Sequence, residues 1–288
     1  MMSAPAAGMD AAGPSAVGEV KQWMGGYLRR HPLASLETVG GQVILAVQAI
    51  RYLCTDIVTG QFPFREFVQQ ATFMAKTAYV PTVAVALPIS ATMSIQFGLL
   101  AGQVGATSLA GAAGGLAVIR QVAPLVTAIL LAAAVGSAIC SDLGARTIRE
   151  EIDAMEVMGV SALRMLVVPR LAAGILVAMG LTGLSCFVGF LGGYLFNVYA
   201  QNGVPGSYLA TFSSFATIGD LYLAMVKAIT FGVIVTIVSC QKGLSTKGGP
   251  GGVANSVNAA VVASIVLLMI VNAGFTELYT LLFPRTTL

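Results

Sequence analysis

The chain has 288 residues, of which 57% are hydrophobic and 9% are charged, and its formal net charge is +3 at pH 7. Soluble domains carry about 25% charged residues, so this composition, with a mean hydropathy of +0.86, excludes a soluble globular protein and indicates an integral membrane protein. The basic residues are too scattered to form a phosphate-binding face, which excludes a nucleic-acid partner.

The N-terminal region contains two kinds of sequence. Residues 1–32 are rich in Ala, Gly, Ser and Pro and lack the apolar core of a signal peptide, so we expect a flexible cytoplasmic tail. Residues 33–78 are predicted to form interfacial amphipathic helices. Within residues 64–78, apolar side chains share one helical face, and Arg65, Glu66 and Gln69 lie on the other. This pattern is typical of a helix in the membrane interface, with an ordinary soluble helix as the alternative.

Residues 79–283 contain five apolar segments that are long enough to cross a membrane as helices. The sequence therefore predicts an all-α integral membrane protein in which an N-terminal interfacial helix precedes a five-helix domain. The predicted spans cover residues 79–102, 116–141, part of 163–199, 221–241 and 256–283.

The distribution of basic residues predicts the orientation of these helices. With a cytoplasmic N-terminus, 12 of the 15 Lys and Arg residues lie in segments on the cytoplasmic side. Arg120 and Lys227 fall within spans, and only Arg285 lies outside. The positive-inside rule therefore predicts an N-in, C-out protein with an odd number of spans.

The predicted loop between spans 2 and 3, residues 142–170, carries nine of the chain's 15 basic and 12 acidic residues. We call it the connector. Its pattern predicts a helix at about residues 145–158, with Ile148, Ile152 and Met155 in one stripe. Gly159 is placed to cap that helix. On the polar side, Arg146–Glu150 and Arg149–Asp153 would form ion pairs at i, i+4 spacing.

Acidic residues dominate the connector helix and predict what it touches. Residues 142–158 include five acids and two arginines, so an anionic membrane surface would repel the helix. We therefore expect it to dock into a groove on a soluble protein partner. The alternative is that it lies on the membrane.

Several motifs in and around the connector resemble the signature of the MlaE/YrbE permeases, the membrane subunits of ABC lipid transporters that work with MCE-domain proteins. The resemblance covers about residues 65–283. It rests on Gly136-Ser-Ala-Ile-Cys-Ser-Asp-Leu-Gly144, Glu151-Ile-Asp-Ala-Met-Glu-Val-Met-Gly-Val160, Pro169-Arg170 and, in the second span, Ile119-Arg-Gln-Val-Ala-Pro124.

The resemblance implies that the connector helix is a coupling helix received by a P-loop ATPase subunit, which binds the ATP and Mg²⁺. This chain has no Gly-x-x-x-x-Gly-Lys-Ser/Thr motif, so we expect neither a cofactor nor enzymatic activity in it. The resemblance also implies a multi-pass protein of the bacterial plasma (inner) membrane. The implied ATPase-coupling residues are Arg149, Glu151, Ile152, Asp153, Met155, Glu156 and Met158.

The resemblance further implies that two permease chains pair and hold lipid in a cavity between them, beneath a hexamer of MCE proteins. Charged residues within spans are costly and mark functional sites, and the candidate cavity residues are Gln96, Arg120, Gln121 and Lys227. Interface anchoring of Arg120 and Lys227 is the alternative. Asp220 lies seven residues before Lys227, about 10 Å along a helix, which is too far for direct contact.

Two features bear on the branch of the family. Gln121 stands where members often carry Glu, which suits a less polar headgroup or a heterodimer whose partner keeps the acid. Residues 248–253, Gly-Gly-Pro-Gly-Gly-Val, resemble the actinobacterial Mce-operon branch, in which two non-identical permeases and six different MCE proteins are expected. Sterols, fatty acids, mycolic acids and phospholipids are among the substrates that the family resemblance implies. The four cysteines lack metal-ligand spacing.

An ion-coupled transporter or channel and a purely structural membrane anchor remain the alternative classes.

Overall fold

The computed structural model describes residues 40–60, 62–103, 105, 110–200 and 203–282. The chain divides into two units, Met1–Ile44 and Leu45–Leu288. Only residues 40–44 of the first unit, at the start of the first helix, are described. The predicted flexible tail at residues 1–32 lies outside the described residues. Helices, turns and short irregular links account for everything that is described, so the all-helical class is confirmed.

Eight helices, which we number in chain order, make up the described chain. The helix α3 runs from Ala110 to Ile148 and alternates α-helical and π-helical segments. These segments are Ala110–Ala117, Val118–Val122 (π), Ala123–Leu130, Leu131–Gly136 (π) and Ser137–Ile148. The others are α1 (Gly40–Thr59), α2 (Phe64–Gln103), α4 (Glu151–Val157), α5 (a π-helical Leu163–Val167 continued by Val168–Ala200), α6 (Pro205–Phe215), α7 (Ile218–Leu244) and α8 (Gly249–Leu282).

Among the described residues, six helices are long and apolar enough to cross a membrane, one more than the five predicted spans. The additional one is α1, which lies in the segment predicted to be interfacial. Its mean hydropathy is 1.2, against 1.7 to 2.2 for the other five. The interfacial position of α1 and the N-in, C-out orientation stay predictions.

The predicted boundary between the interfacial segment, which ends at residue 78, and the first span, which begins at residue 79, lies inside the helix α2. It is one continuous helix of 40 residues from Phe64 to Gln103, although Pro81 and Pro88 lie inside it. At 1.5 Å per residue it is about 60 Å long, roughly twice the hydrocarbon thickness of a bilayer. One helix can therefore contain both the amphipathic segment and the first predicted span.

The interior of the bundle is formed by α3, α5 and α7, in which 50% to 56% of the most apolar stretch is buried, against 17% in α2 and 22% in α8. Small residues bring the central helices together. A Cβ on Gly232 of α7 would lie 2.9 Å from the carbonyl oxygen of Gly174 on α5. Backbones in van der Waals contact are typical of membrane helix pairs, and they make α5 and α7 a rigid pair.

Hydrogen bonds and aromatic contacts add to this packing. The hydroxyls of Thr127 on α3 and Ser185 on α5 lie 2.8 Å apart in the interior. At the end of the bundle opposite the connector, Tyr208 of α6 packs against Phe190 and Tyr194 of α5. Burial raises the pKa of Tyr208 to about 12. These contacts hold α6 against the end of the bundle at which α7 begins.

Candidate functional site

The connector contains two helical pieces, so the prediction of one helix over residues 145–158 is wrong. The helix α3 ends at Ile148, and Glu150 adopts a left-handed conformation with φ of 59° before α4 begins at Glu151. The Glu150 N–H donates to the Thr147 carbonyl at 3.1 Å, which closes the last turn of α3. A left-handed residue other than Gly costs about 1–2 kcal/mol, and no Gly or Pro marks this break in the sequence.

The break also changes the ion pairs expected on the connector. Arg146 Nε lies 3.2 Å from Asp142 Oδ1, and Arg149 Nε lies 2.7 Å from Glu151 Oε1. The predicted pairs Arg146–Glu150 and Arg149–Asp153 assumed continuous helical spacing across Glu150, which the structure interrupts. The hydrogen bond to Glu151 raises the pKa of Arg149.

The helix α4 is anchored on one side and exposed on the other. Ile152 is buried in the core, and Met155 packs against it. Asp153 and Glu156 are exposed, as are Val157 and Met158 at the end of the helix. Gly159 has φ of 78°, and the Val160 N–H donates to the Met155 carbonyl at 2.9 Å. The predicted glycine cap is therefore confirmed.

Two ion pairs, each with one buried partner, hold the elements that flank α4. Arg170 on α5 is 1% exposed, and its Nη2 donates to Asp142 Oδ2 on α3 at 2.6 Å. Arg164, at the start of α5, donates from Nε and Nη2 to the two carboxylate oxygens of the buried Asp56 on α1, at 3.0 and 2.5 Å. The connector thus leaves the bundle from a base that is fixed on both sides.

A second group of polar residues lies at the opposite end of the bundle, between α3, α7 and α8. We call it the polar cluster, and it contains Arg120, Gln121, Asp220, Lys227, Thr276 and Tyr279. Arg120 Nη2 lies 2.6 Å from Asp220 Oδ1, and the Tyr279 hydroxyl donates to that oxygen at 3.1 Å. The Arg120 guanidinium also lies 5.7 Å from the centre of the Tyr279 ring, within the range of a cation–π contact.

Asp220 has a second role at the start of α7. Its Oδ2 accepts from the Thr217 N–H at 3.0 Å and from the Thr217 hydroxyl at 2.9 Å, which forms a capping box. One buried carboxylate therefore both caps α7 and pairs with the α3 guanidinium, and it fixes the position of Arg120 relative to α7.

Lys227 occupies the deeper part of the polar cluster and is 1% exposed. Its Nζ donates to three oxygens: the Arg120 carbonyl at 3.2 Å, Gln121 Oε1 at 3.2 Å and Thr276 Oγ1 at 3.1 Å. An ammonium group has three N–H donors, so these three acceptors match its full capacity.

Three of the four predicted cavity residues, Arg120, Gln121 and Lys227, therefore come together. Gln96 lies exposed on α2, and none of the hydrogen bonds that hold the polar cluster involves it. Sequence reasoning did not assign Asp220, Thr276 or Tyr279 to this site. An acid next to an apolar span marks Asp220 in the sequence, whereas Thr276 and Tyr279 carry no comparable signal.

An apolar groove of about 490 Å³ lies beside the polar cluster, between α7 and α8. It shares Thr217 and Tyr279 with the surroundings of Asp220. The charged side chains of the polar cluster do not line the groove, and Thr217 and Tyr279 connect the groove to Asp220. The groove is lined by Thr217, Gly219, Tyr222, Leu223, Val226, Phe275, Leu278 and Tyr279.

Within the described residues, no group of three or more His, Cys, Asp or Glu side chains could hold a metal ion.

Comparison with known proteins gives consistent matches. The family model for the MlaE permease matches residues 67–278. A probable ABC transporter permease protein of Synechocystis is 38% identical over 170 residues, which cover 58% of this chain and 64% of the relative. A probable ABC transporter permease protein of Rickettsia typhi is 31% identical over 163 residues, which cover 57% of this chain and 63% of the relative.

A more distant relative aligns over more of the chain. The chloroplastic protein TRIGALACTOSYLDIACYLGLYCEROL 1 of Arabidopsis thaliana is 29% identical over 238 residues, or 82% of this chain and 65% of the relative. The alignments thus span slightly less than two thirds of the length of these relatives.

Proposed function

Because the chain belongs to the MlaE permease family, we propose that it is the membrane-spanning permease subunit of an ATP-driven ABC lipid transporter that works with MCE-domain proteins. The observation that carries the proposal is α4, a short acidic helix held by Ile152 and otherwise directed away from the bundle. Relatives named as probable ABC transporter permeases support the same class.

In this proposal α4 is the coupling helix that enters a groove on a P-loop ATPase subunit. Its exposed acids, Asp153 and Glu156, would meet basic residues around the groove, and Met158 would enter its apolar part. Arg149 and Glu151 pair beside them. Because the flanking residues are fixed by ion pairs that each have one buried partner, a displacement of α4 would reach α3 and α5 together.

The polar cluster is the proposed site of the lipid headgroup. It contains two cations and one anion, and the buried Nε of Arg120 has no hydrogen-bond partner among the described residues. That donor belongs to the side chain that pairs with Asp220, whose partners Thr217 and Tyr279 line the apolar groove, and it favours a lipid with an anionic or strongly polar head. The Arabidopsis relative is also named after a lipid.

The remaining partners follow from the family. A second permease chain, non-identical as in the Mce-operon branch, would pair with this one and close the cavity. Gln96 would face that cavity if the second chain packs on α2. A hexamer of MCE proteins would continue the lipid path on the outer side of the bacterial plasma (inner) membrane. Gln121 suits either a less polar headgroup or a heterodimer whose other chain supplies the acid.

Purification of the assembled complex from its native membrane tests the proposal. Mass spectrometry should find a P-loop ATPase, MCE proteins, a second permease and bound lipid together with this chain. In vesicles, lipid movement should require ATP hydrolysis and stop when the ATPase is inactivated. Lipid movement that continues with an inactive ATPase would instead indicate a structural anchor, and coupling to an ion gradient would indicate a secondary transporter.

A further inference from the structure

Lys227 is buried within the bundle, and its three hydrogen bonds go to the protein itself. We infer that Lys227 is a positioning residue, which replaces the i+4 backbone donor that the Arg120 carbonyl lacks and so holds the π-helical turn that presents Arg120. The functional part of this inference, the presentation of Arg120 to a headgroup, rests on the proposed function.

The missing donor follows from the sequence. In an α-helix the carbonyl of residue 120 accepts from the N–H of residue 124, but residue 124 is Pro124, which has no N–H. The turn before it is π-helical over Val118–Val122, and the Ala123 N–H donates to the Val118 carbonyl, five residues back. Pro124 itself is buried at the start of the next α-helical segment.

A carbonyl inside a membrane bundle needs a donor because no water is present to supply one. Lys227 Nζ lies 3.2 Å from the Arg120 carbonyl oxygen. The lysine is on α7, so a side chain from another helix provides the bond that proline removes. A charged residue within a span is costly. The hydrogen bond to the Arg120 carbonyl explains the position of Lys227 without any contact with lipid.

The other two acceptors of Lys227 depend on it less. The Thr276 hydroxyl lies 3.4 Å from Gln121 Oε1 and donates to the Asn272 carbonyl at 2.9 Å. Gln121 and Thr276 therefore keep a contact with each other when the lysine is absent. Removal of Lys227 therefore affects the Arg120 carbonyl most. The size of this effect depends on whether residue 124 has an N–H.

A double-mutant cycle on the full chain tests this inference. Lys227→Met keeps an unbranched side chain that is one atom shorter and removes its donors, and Pro124→Ala restores the backbone N–H. We expect Lys227→Met alone to lower the Tm of the purified protein by on the order of 5 °C and to speed amide exchange in a peptide that covers residues 118–126. In the Pro124→Ala background both effects should fall to less than half. If Lys227→Met does not fold, Lys227→Leu, which also removes the donors, takes its place in the same cycle.

Pro88→Ala is the matched control, because Pro88 lies inside a different helix, α2. Combined with Lys227→Met, it should leave the loss of Tm unchanged. Full additivity between Pro124→Ala and Lys227→Met would overturn the inference. The cycle measures unfolding and amide exchange without lipid or ATPase, so its result is separate from the success or failure of the proposed transport function.

Discussion

Asp142 and Arg170 are 28 residues apart and form an ion pair of 2.6 Å across the base of the connector. The Arg170 side chain is buried, and its Nη1 also donates to the Leu166 carbonyl at 2.9 Å. The pair joins the end of α3 to the beginning of α5, so the short helix between them leaves the bundle from a fixed point. Both residues belong to the motifs that first indicated the family.

Loss of the Asp142 carboxylate should therefore destabilise the protein. Asp142→Ala leaves a buried guanidinium without its anion, and we expect a loss of about 2 kcal/mol in the free energy of unfolding. Asp142 also pairs with Arg146, whose side chain is 35% exposed, so Arg146→Ala is the control and should cost less than about 1 kcal/mol. Thermal unfolding in detergent measures both, and equal losses would contradict the assignment.

The pair between Asp56 and Arg164 gives a second prediction. Asp56 is buried, whereas the Arg164 side chain is 42% exposed. Arg164→Gln strands a buried carboxylate and should cost about 2–3 kcal/mol of stability. Asp56→Asn together with Arg164→Gln should recover part of this loss, because a neutral amide is less costly to bury than an unpaired charge. A double variant that is as unstable as the sum of the single changes would argue against this explanation. Chemical unfolding of the four proteins gives the comparison.

The contact between α5 and α7 predicts opposite effects for two glycines. A Cβ at position 232 would lie 2.9 Å from the Gly174 carbonyl oxygen, whereas position 180 on α5 has no atom within 4 Å. Gly232→Ala should cost about 1–3 kcal/mol, because the two backbones must separate. Gly180→Ala should be neutral or stabilising, since Ala is the better helix former. If thermal unfolding shows that Gly180→Ala and Gly232→Ala destabilise the protein equally, close packing is not the cause.

The acidic face of α4 predicts a charge-dependent interaction. Glu156→Lys should weaken binding of the partner ATPase on the order of tenfold, because it places a cation against a basic surface. Glu277→Lys, an exposed change at the other end of the bundle, is the control and should leave binding unchanged. Titration of the ATPase onto the detergent-solubilised chain measures both affinities. Equal binding by both variants would mean that the ATPase does not recognise the charge of α4.

Local patterns in the sequence predicted the features that depend on local structure. The apolar runs and the charged connector are properties of short windows, so the helical class and the glycine cap at Gly159 were predicted correctly. The continuity of α2 across residues 78 and 79 was not predicted, because a change from amphipathic to apolar sequence does not itself end a helix. The single helix over residues 145–158 was wrong for a related reason. Its break depends on a left-handed Glu150, a residue type that rarely adopts this conformation.

The polar cluster could be predicted only in part. Arg120, Gln121 and Lys227 stood out because polar residues are rare within spans, but the partner of Arg120 did not. The pair between Arg120 and Asp220 joins residues 100 positions apart, and no periodicity within one helix carries that information. A helical period of 3.6 residues does not predict the π-helical turn at Val118–Val122 either. Pro124 accounts for this turn once the contacts are known.

Disruption of α4 tests the central claim, that this helix receives force from an ATPase. The Ala154 N–H donates to the Glu150 carbonyl at 3.0 Å and the side chain is exposed, so Ala154→Pro breaks the helix and replaces no core side chain. Ala154→Ser keeps the N–H and is the control. The deciding measurement is ATP-driven lipid movement in vesicles that contain the complex. We predict that Ala154→Pro abolishes this movement and Ala154→Ser retains it, whereas undiminished movement with Ala154→Pro would contradict the account.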